Sequence, residues 1–202
     1  MKLRLGRQIQ SATMIGVILF GLLHLAACSP TGALLSAGAG VANANQTEKG
    51  LRSTATDLRI HAEINHYLFQ KDFDLFGAVS IAVEQGRVLL TGSVATPKHR
   101  ITATRLSWQA EGVREVLNEI QIKNNVGITD KARDVLINRR LQSQLLLDKN
   151  IRSINFSTDA VNAVVYLFGI ARDQAELDRV INHARNIQYV SRVVNYVTIA
   201  NR

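Results

Sequence analysis

At 202 residues the chain is long enough for one ordinary domain or two small ones, and its single cysteine excludes an intramolecular disulfide. The formal net charge of +8 is unevenly spread: residues 28–125 carry ten Lys and Arg against nine Asp and Glu, and residues 126–202 carry eleven against seven. The second half is thus the basic one and points to an anionic partner, a membrane surface before a nucleic acid, with a solvated basic surface as the plain alternative.

In chain order, residues 1–27 read as an address. MKLRLGR is a short basic segment, residues 8–27 contain an apolar core with His24 inside it, and Leu25-Ala26-Ala27-Cys28 follows at once. The run is at the short end for a membrane span, and no charged stop follows it. Leu-Ala-Ala-Cys resembles the lipobox of bacterial lipoproteins. That resemblance implies removal of the signal, diacylglycerol on the Cys28 sulfur and an acyl chain such as palmitate on the new amino terminus. Three chains, at about 0.8 kcal/mol per buried CH₂, anchor far more firmly than one. Ser29 stands where an Asp commonly retains lipoproteins in the inner membrane, so the resemblance is to the outer-membrane class facing the periplasm. Residues 28–56, rich in Gly, Ala, Ser, Asn and Thr, read as the lipidated Cys and a flexible tether.

Two units follow, 57–125 and 126–202. Each opens on an amphipathic helix: Leu58, Ile60, Ile64, Tyr67 and Leu68 largely share one side of the first, and Ile137, Leu141 and Leu145 one side of the second. Asp57 and Asp134 are expected in the first turns, where a carboxylate favours the helix dipole. Val79, Ile81 and Val83 alternate, Glu84-Gln85-Gly86 makes a turn, and Val88 and Leu90 lead to Gly92. In the second unit a longer turn, without Gly, is expected across Ser157–Ala163 before Val165, Leu167 and Gly169. A Gly ending a strand suggests a bulge, a positive φ or a close backbone approach. Thr96-Pro97 and Asp173 supply helix starts, and each unit closes on a strand carrying Asn118 or Asn195.

These landmarks repeat at one offset. Gly92 and Gly169 are 77 residues apart, as are Asp57 and Asp134, Val113 and Val190, and Asn118 and Asn195. The predicted fold is α+β: two tandem α-β-β-α-β sandwiches, each a three-stranded mixed sheet covered by two helices, behind a signal peptide and tether. Val88–Gly92, Gly112–Ile120 and Ile128–Leu146 carry a resemblance to the BON domain, a bacterial module, and two such units behind a lipobox resemble dual-BON outer-membrane lipoproteins. Tyr189 in place of Gly112 is a departure from the pattern.

No catalytic constellation stands out. His61, His66, His99 and His183 match no metal-ligand spacing, Gly38-Ala39-Gly40 is no nucleotide loop, and Asp72 and Asp74 flank Phe73 in a stretch that reads as a loop. The chain is read as no enzyme, with no cofactor and no metal, and the secretion signal conflicts with nucleic-acid binding. The BON resemblance implies binding to anionic phospholipid in support of outer-membrane integrity. The candidate surface is the second unit's first helix, where Lys131, Arg133, Val135, Arg139, Arg140 and Leu146 combine basic and apolar groups away from the core side. The alternative is a tethered scaffold that binds envelope-assembly proteins rather than lipid. Trp108 is expected between the two units, or else at a wet interface.

Overall fold

The computed structural model describes residues 50–123 and 127–200, with side chains from Ser53 onward; the lipobox, Cys28, Ser29 and residues 30–49 lie outside the described residues. Among the described residues, no helix is long and apolar enough to cross a membrane, and no group of His, Cys, Asp and Glu could hold a metal ion.

The first unit runs α1 (Gly50–Lys71), α2 (Phe73–Ala78), β1 (Val79–Glu84), β2 (Arg87–Val94), α3 (Pro97–Ser107), β3 (Glu115–Asn118) and β4 (Gln121–Ile122). The second runs α4 (Ile128–Leu147), a 3₁₀ turn (Ser153–Asn155), β5 (Phe156–Val161), β6 (Val164–Ala171), α5 (Gln174–Arg185) and β7 (Arg192–Ile199). In each sheet the middle strand pairs antiparallel with the strand before it and parallel with the strand after the crossover helix. β4 continues β3 alongside β2.

The helices start where their capping residues stand. The Thr96 side chain accepts the His99 N–H with Pro97 in the first turn of α3, and Asp173 accepts the Glu176 N–H at the start of α5. The stretch around Phe73 is a short helix rather than a loop, because Asp72 accepts the Asp74 and Leu75 amides at 2.9 and 3.1 Å. The closing strand of the first unit is interrupted at Glu119-Ile120, whereas that of the second is continuous. At both places the Asn side chain accepts the amide two residues on: Ile120 for Asn118, Val197 for Asn195, each at 3.0 Å. Asn118 also ties its strand to α3 by donating to the Arg100 carbonyl at 3.1 Å.

Several expectations change. α1 begins at Gly50, within the stretch read as tether, so Asp57 lies well inside the helix rather than in its first turn. Asp134 likewise sits beyond the first turn of α4. Both carboxylates do other work. Asp57 accepts the Gln85 and Gly86 amides, each at 2.9 Å, and Asp134 accepts those of Asn162 and Ala163 at 2.7 and 2.9 Å. Each holds the tip of its own hairpin.

The second hairpin is not longer than the first. β5 and β6 are joined by two residues, Asn162 (φ 49°) and Ala163 (φ 64°), as β1 and β2 are joined by Gln85 (φ 52°) and Gly86 (φ 75°). Both central residues have positive φ, the mirror-image turn that suits the twist of a two-residue hairpin. An Ala there is strained, and the Asp134 clamp holds it.

Gly92 and Gly169 lie inside their strands rather than at the ends. They have φ of 118° and 140°, and a Cβ would come 2.1 Å from the Ala78 carbonyl oxygen or 2.0 Å from that of Asn155. Only glycine lets the chain entering each hairpin pass so close.

Helices cover one face of each sheet. Ile60, Ile64, Leu68, Val88, Leu90, Ala103 and Leu106 form the first core, while Ile137, Leu141, Leu145, Val165, Leu167, Leu177 and Val180 belong to the second. Leu58 departs from the predicted core side, being 66% exposed.

The other faces of the two sheets meet each other. Leu89, Val161, Val164, Tyr166 and Phe168 are buried there, with Ala82, Leu117, Val194 and Tyr196 packed around them. Polar contacts cross the same layer. Thr91 donates to Asp159, Tyr196 donates to Glu119, Gln121 donates to the Tyr166 hydroxyl at 3.1 Å, and Arg87 donates to the Tyr196 carbonyl at 3.2 Å. The two units therefore stack, among the described residues, in the order helices, sheet, sheet, helices. Glu119 and Tyr196 are equivalent positions of the repeat, 77 residues apart, so the two units meet about a pseudo-two-fold axis.

Candidate functional site

α4 is anchored from below by Ile137, Leu141 and Leu145, all nearly fully buried. Side chains three, four and seven residues apart share a helix face. The side of α4 away from the core accordingly carries Ile128, Val135, Arg139 and Leu146, spaced by seven, four and seven residues. Ile128, Val135 and Leu146 are 89%, 56% and 73% exposed, which is uncommon for three large aliphatic side chains on one helix. Leu136 and Leu147 are exposed beside them.

The predicted basic residues divide into two groups. Arg139 and Lys131 are exposed and make no ion pair among the described residues. Arg133 is engaged with the Asp130 carboxylate at 3.0 Å and lies over the Tyr189 ring at 5.8 Å. Arg140 reaches Gln188 at 3.3 Å. These two sit on the flank nearest the loop before β7, so the stripe is Val135, Arg139 and Leu146 with Ile128 added. Tyr189 adopts φ of 75°, close to the 96° of Gly112, so the departure noted in sequence leaves the backbone unchanged.

The other edge of α4 faces a groove shared with the first unit, lined by Lys131, Val135 and Asn138 on one side and Phe73, Gly77 and Ala78 on the other. Phe73 is 69% and Phe69 54% exposed, and their rings meet each other and Phe76 at centroid distances between 5.6 and 6.3 Å. This aromatic cluster lies beyond the reach of a one-helix reading, because Phe73 reaches α4 only through the tertiary fold. Ile128 and Leu147 were legible in the spacing of α4 itself.

Trp108 does not lie between the units. It terminates α3 at the outer surface, 51% exposed, beside Ile101 and Ile122. The sheet–sheet layer is instead filled by tyrosines and a phenylalanine of the second unit. Among the described residues, the histidines gather no metal set. His99 faces Asp72 at 3.6 Å, and His183 bonds Asp148 at 2.9 Å, joining the end of α4 to α5. The His183 bond, with help from the Asn150 amide, holds the Asp148 carboxyl below its ordinary range.

The family model of the BON domain matches residues 56–124 and again 133–201. This chain belongs to the BON-domain family. Both BON units fall on the α-β-β-α-β modules seen in the fold. The chain is 38% identical over 144 residues to an uncharacterized protein in the gshII 5′ region of Anaplasma centrale, covering 71% of this chain and 94% of that one. It is 29% identical over 149 residues to the 21 kDa hemolysin of Actinobacillus pleuropneumoniae, covering 71% and 76%. It is 27% identical over 118 residues to the outer membrane lipoprotein DolP of Haemophilus influenzae, covering 58% and 61%.

Proposed function

We propose that this chain is a non-enzymatic bacterial envelope lipoprotein, anchored through Cys28 in the outer membrane and facing the periplasm. Its second BON unit binds anionic phospholipid and so supports outer-membrane integrity. The observation that carries the reading is the outer stripe of α4, where Ile128, Val135 and Leu146 stand exposed around an unpaired Arg139. An aliphatic stripe enters the acyl boundary while the guanidinium stays at the headgroups, the arrangement of an interfacial helix. Lys131 and the exposed rings of Phe69 and Phe73 extend the same surface onto the first unit. The relative named as an outer membrane lipoprotein, and the lipobox-like Leu25–Cys28, support the location.

The test is flotation of residues 29–202, free of the acyl anchor, with vesicles of graded anionic lipid content at low and high salt. Each basic residue near such a surface contributes about 1 kcal/mol, so Arg139→Glu with Arg140→Glu should weaken flotation by about tenfold or more. Flotation indifferent to lipid charge and to salt, or absent throughout, overturns lipid recognition. The second reading, a tethered scaffold for envelope-assembly proteins, is favoured by a separate exposed groove on the first unit.

A further inference from the structure

On the outer surface of the first unit, α3 and β4 enclose a shallow groove lined by Pro97, Ile101, Thr104, Trp108 and Ile122. Ile101, Trp108 and Ile122 are 68%, 51% and 47% exposed, and all three open into this one depression. Its rim is positive. From Pro97 to Ser107, α3 carries Lys98, Arg100 and Arg105 and no acid. Arg100 is held by Asn118, donating to its carbonyl at 3.0 Å, but Lys98 and Arg105 are exposed and make no ion pair among the described residues. Of the acids that follow α3, Glu111 pairs with Arg59 and Glu115 with Arg87, each at 2.6 Å, and Glu119 accepts from the Tyr196 hydroxyl.

We infer that this groove docks a short acidic protein segment carrying an apolar anchor: Ile101, Trp108 and Ile122 receive the anchor, and Lys98 and Arg105 receive flanking carboxylates. Trp and Arg are the residues that most often dominate binding energy when a partner covers them. Charge complementarity selects the occupant. A second copy of the chain meeting it symmetrically would bring α3 against α3 and set like charges together. The chain's own residues 29–49 offer a single carboxylate, Glu48. The shape argues for protein rather than lipid: a concave depression with a positive rim suits one inserted side chain and its flanking carboxylates, whereas a bilayer is met by a protruding stripe such as that of α4.

Trp108 is the only tryptophan of the chain and reports directly on the groove. Short random peptides displayed on phage are selected on residues 29–202 and counter-selected on the Ile101→Ser/Ile122→Ser variant, whose side chains are exposed and whose fold is checked by circular dichroism. The expected consensus sets Asp or Glu around one or two large apolar residues. The synthetic consensus peptide should give a saturable blue shift of Trp108 emission that weakens with salt. Arg105→Glu should reduce its affinity about tenfold, and Arg139→Glu/Arg140→Glu should leave it unchanged. Enrichment without acidic residues, no enrichment over the counter-selecting variant, or a Trp108 shift produced by anionic vesicles in place of peptide overturns the inference. So does loss of peptide binding in the Arg139→Glu/Arg140→Glu variant, since that would join the groove to the α4 surface. Failure of flotation with peptide binding retained removes the lipid reading alone.

Discussion

α1 and α4 are the same helix used twice, and they have kept the same exposed ridge. Leu58 and Val135 are equivalent positions, 66% and 56% exposed, and Phe69 and Leu146 are another pair, 54% and 73% exposed. Charge is what separates them. Where α4 has Arg139-Arg140, α1 has Ala62-Glu63, and Arg59 of α1 is tied to Glu111 at 2.6 Å. An apolar ridge alone makes a surface adhesive; an unpaired guanidinium within it selects a negative partner. The duplication preserved the backbone and let the electrostatics of its copies diverge.

That comparison can be broken first at the glycines. Gly92→Ala and Gly169→Ala each drive a methyl into a backbone carbonyl, and each should cost on the order of 3–5 kcal/mol in urea unfolding. A small loss at either one would mean that the two close approaches are not equivalent. Next are the hairpin clamps. Asp57→Ala or Asp134→Ala strands two amides, with an expected loss of about 2–4 kcal/mol each.

The hairpin tips sharpen the contrast. A Cβ on Gly86 would come 2.6 Å from the Gly112 oxygen, so Gly86→Ala should destabilise by about 2 kcal/mol. Ala163→Gly, which relieves a positive φ, should be neutral or stabilise by about 1 kcal/mol.

Asp159, which stands where the first unit has Ala82, is a smaller and pH-dependent difference. Burial against the opposing sheet raises its carboxyl above the ordinary value of 3.8. The raised group contributes stability below that ordinary value and loses it as pH rises through the shifted one. Asp159→Asn should therefore flatten the stability profile from about pH 4 upward and leave the protein as stable as the parent, or more so, at neutral pH. The slope of melting temperature against pH checks it. Least affected are the ridges: Phe69→Ser and Leu146→Ser should change stability by less than about 0.5 kcal/mol, and both should weaken flotation, the second more than the first.

Much of this was legible before any fold was known, and for physical reasons. Helix starts are local events, so Thr96-Pro97 and Asp173 stood out. A glycine that must pass a carbonyl survives duplication, so Gly92 and Gly169 marked the repeat. The roles of Asp57 and Asp134 were hidden because each partner turn lies 28 residues away in the chain. The second turn misled because Asn-Ala carries no glycine, although Asn is among the few side chains that tolerate positive φ. The sheet–sheet layer did leave a trace: Val164–Ala171 is an almost unbroken apolar run, and all eight residues are buried. Such a run marks a strand covered on both faces. Val165 and Leu167 mark one face of that strand, and Tyr166 and Phe168, rather than Trp108, mark the face that fills the sheet–sheet layer.

The meeting of Glu119 with Tyr196, the same position in successive copies, has a historical consequence. A forebear with a single unit would have paired with its own duplicate about a true two-fold axis, and fusion of the two genes would then have put both halves of that pair into one chain. The present interface has since specialised, with Tyr166 and Phe168 opposite Leu89 and Thr91 rather than like against like. Neither half is now self-complementary, and a chain cut between them would bare an orphaned sheet rather than restore the ancestral pair.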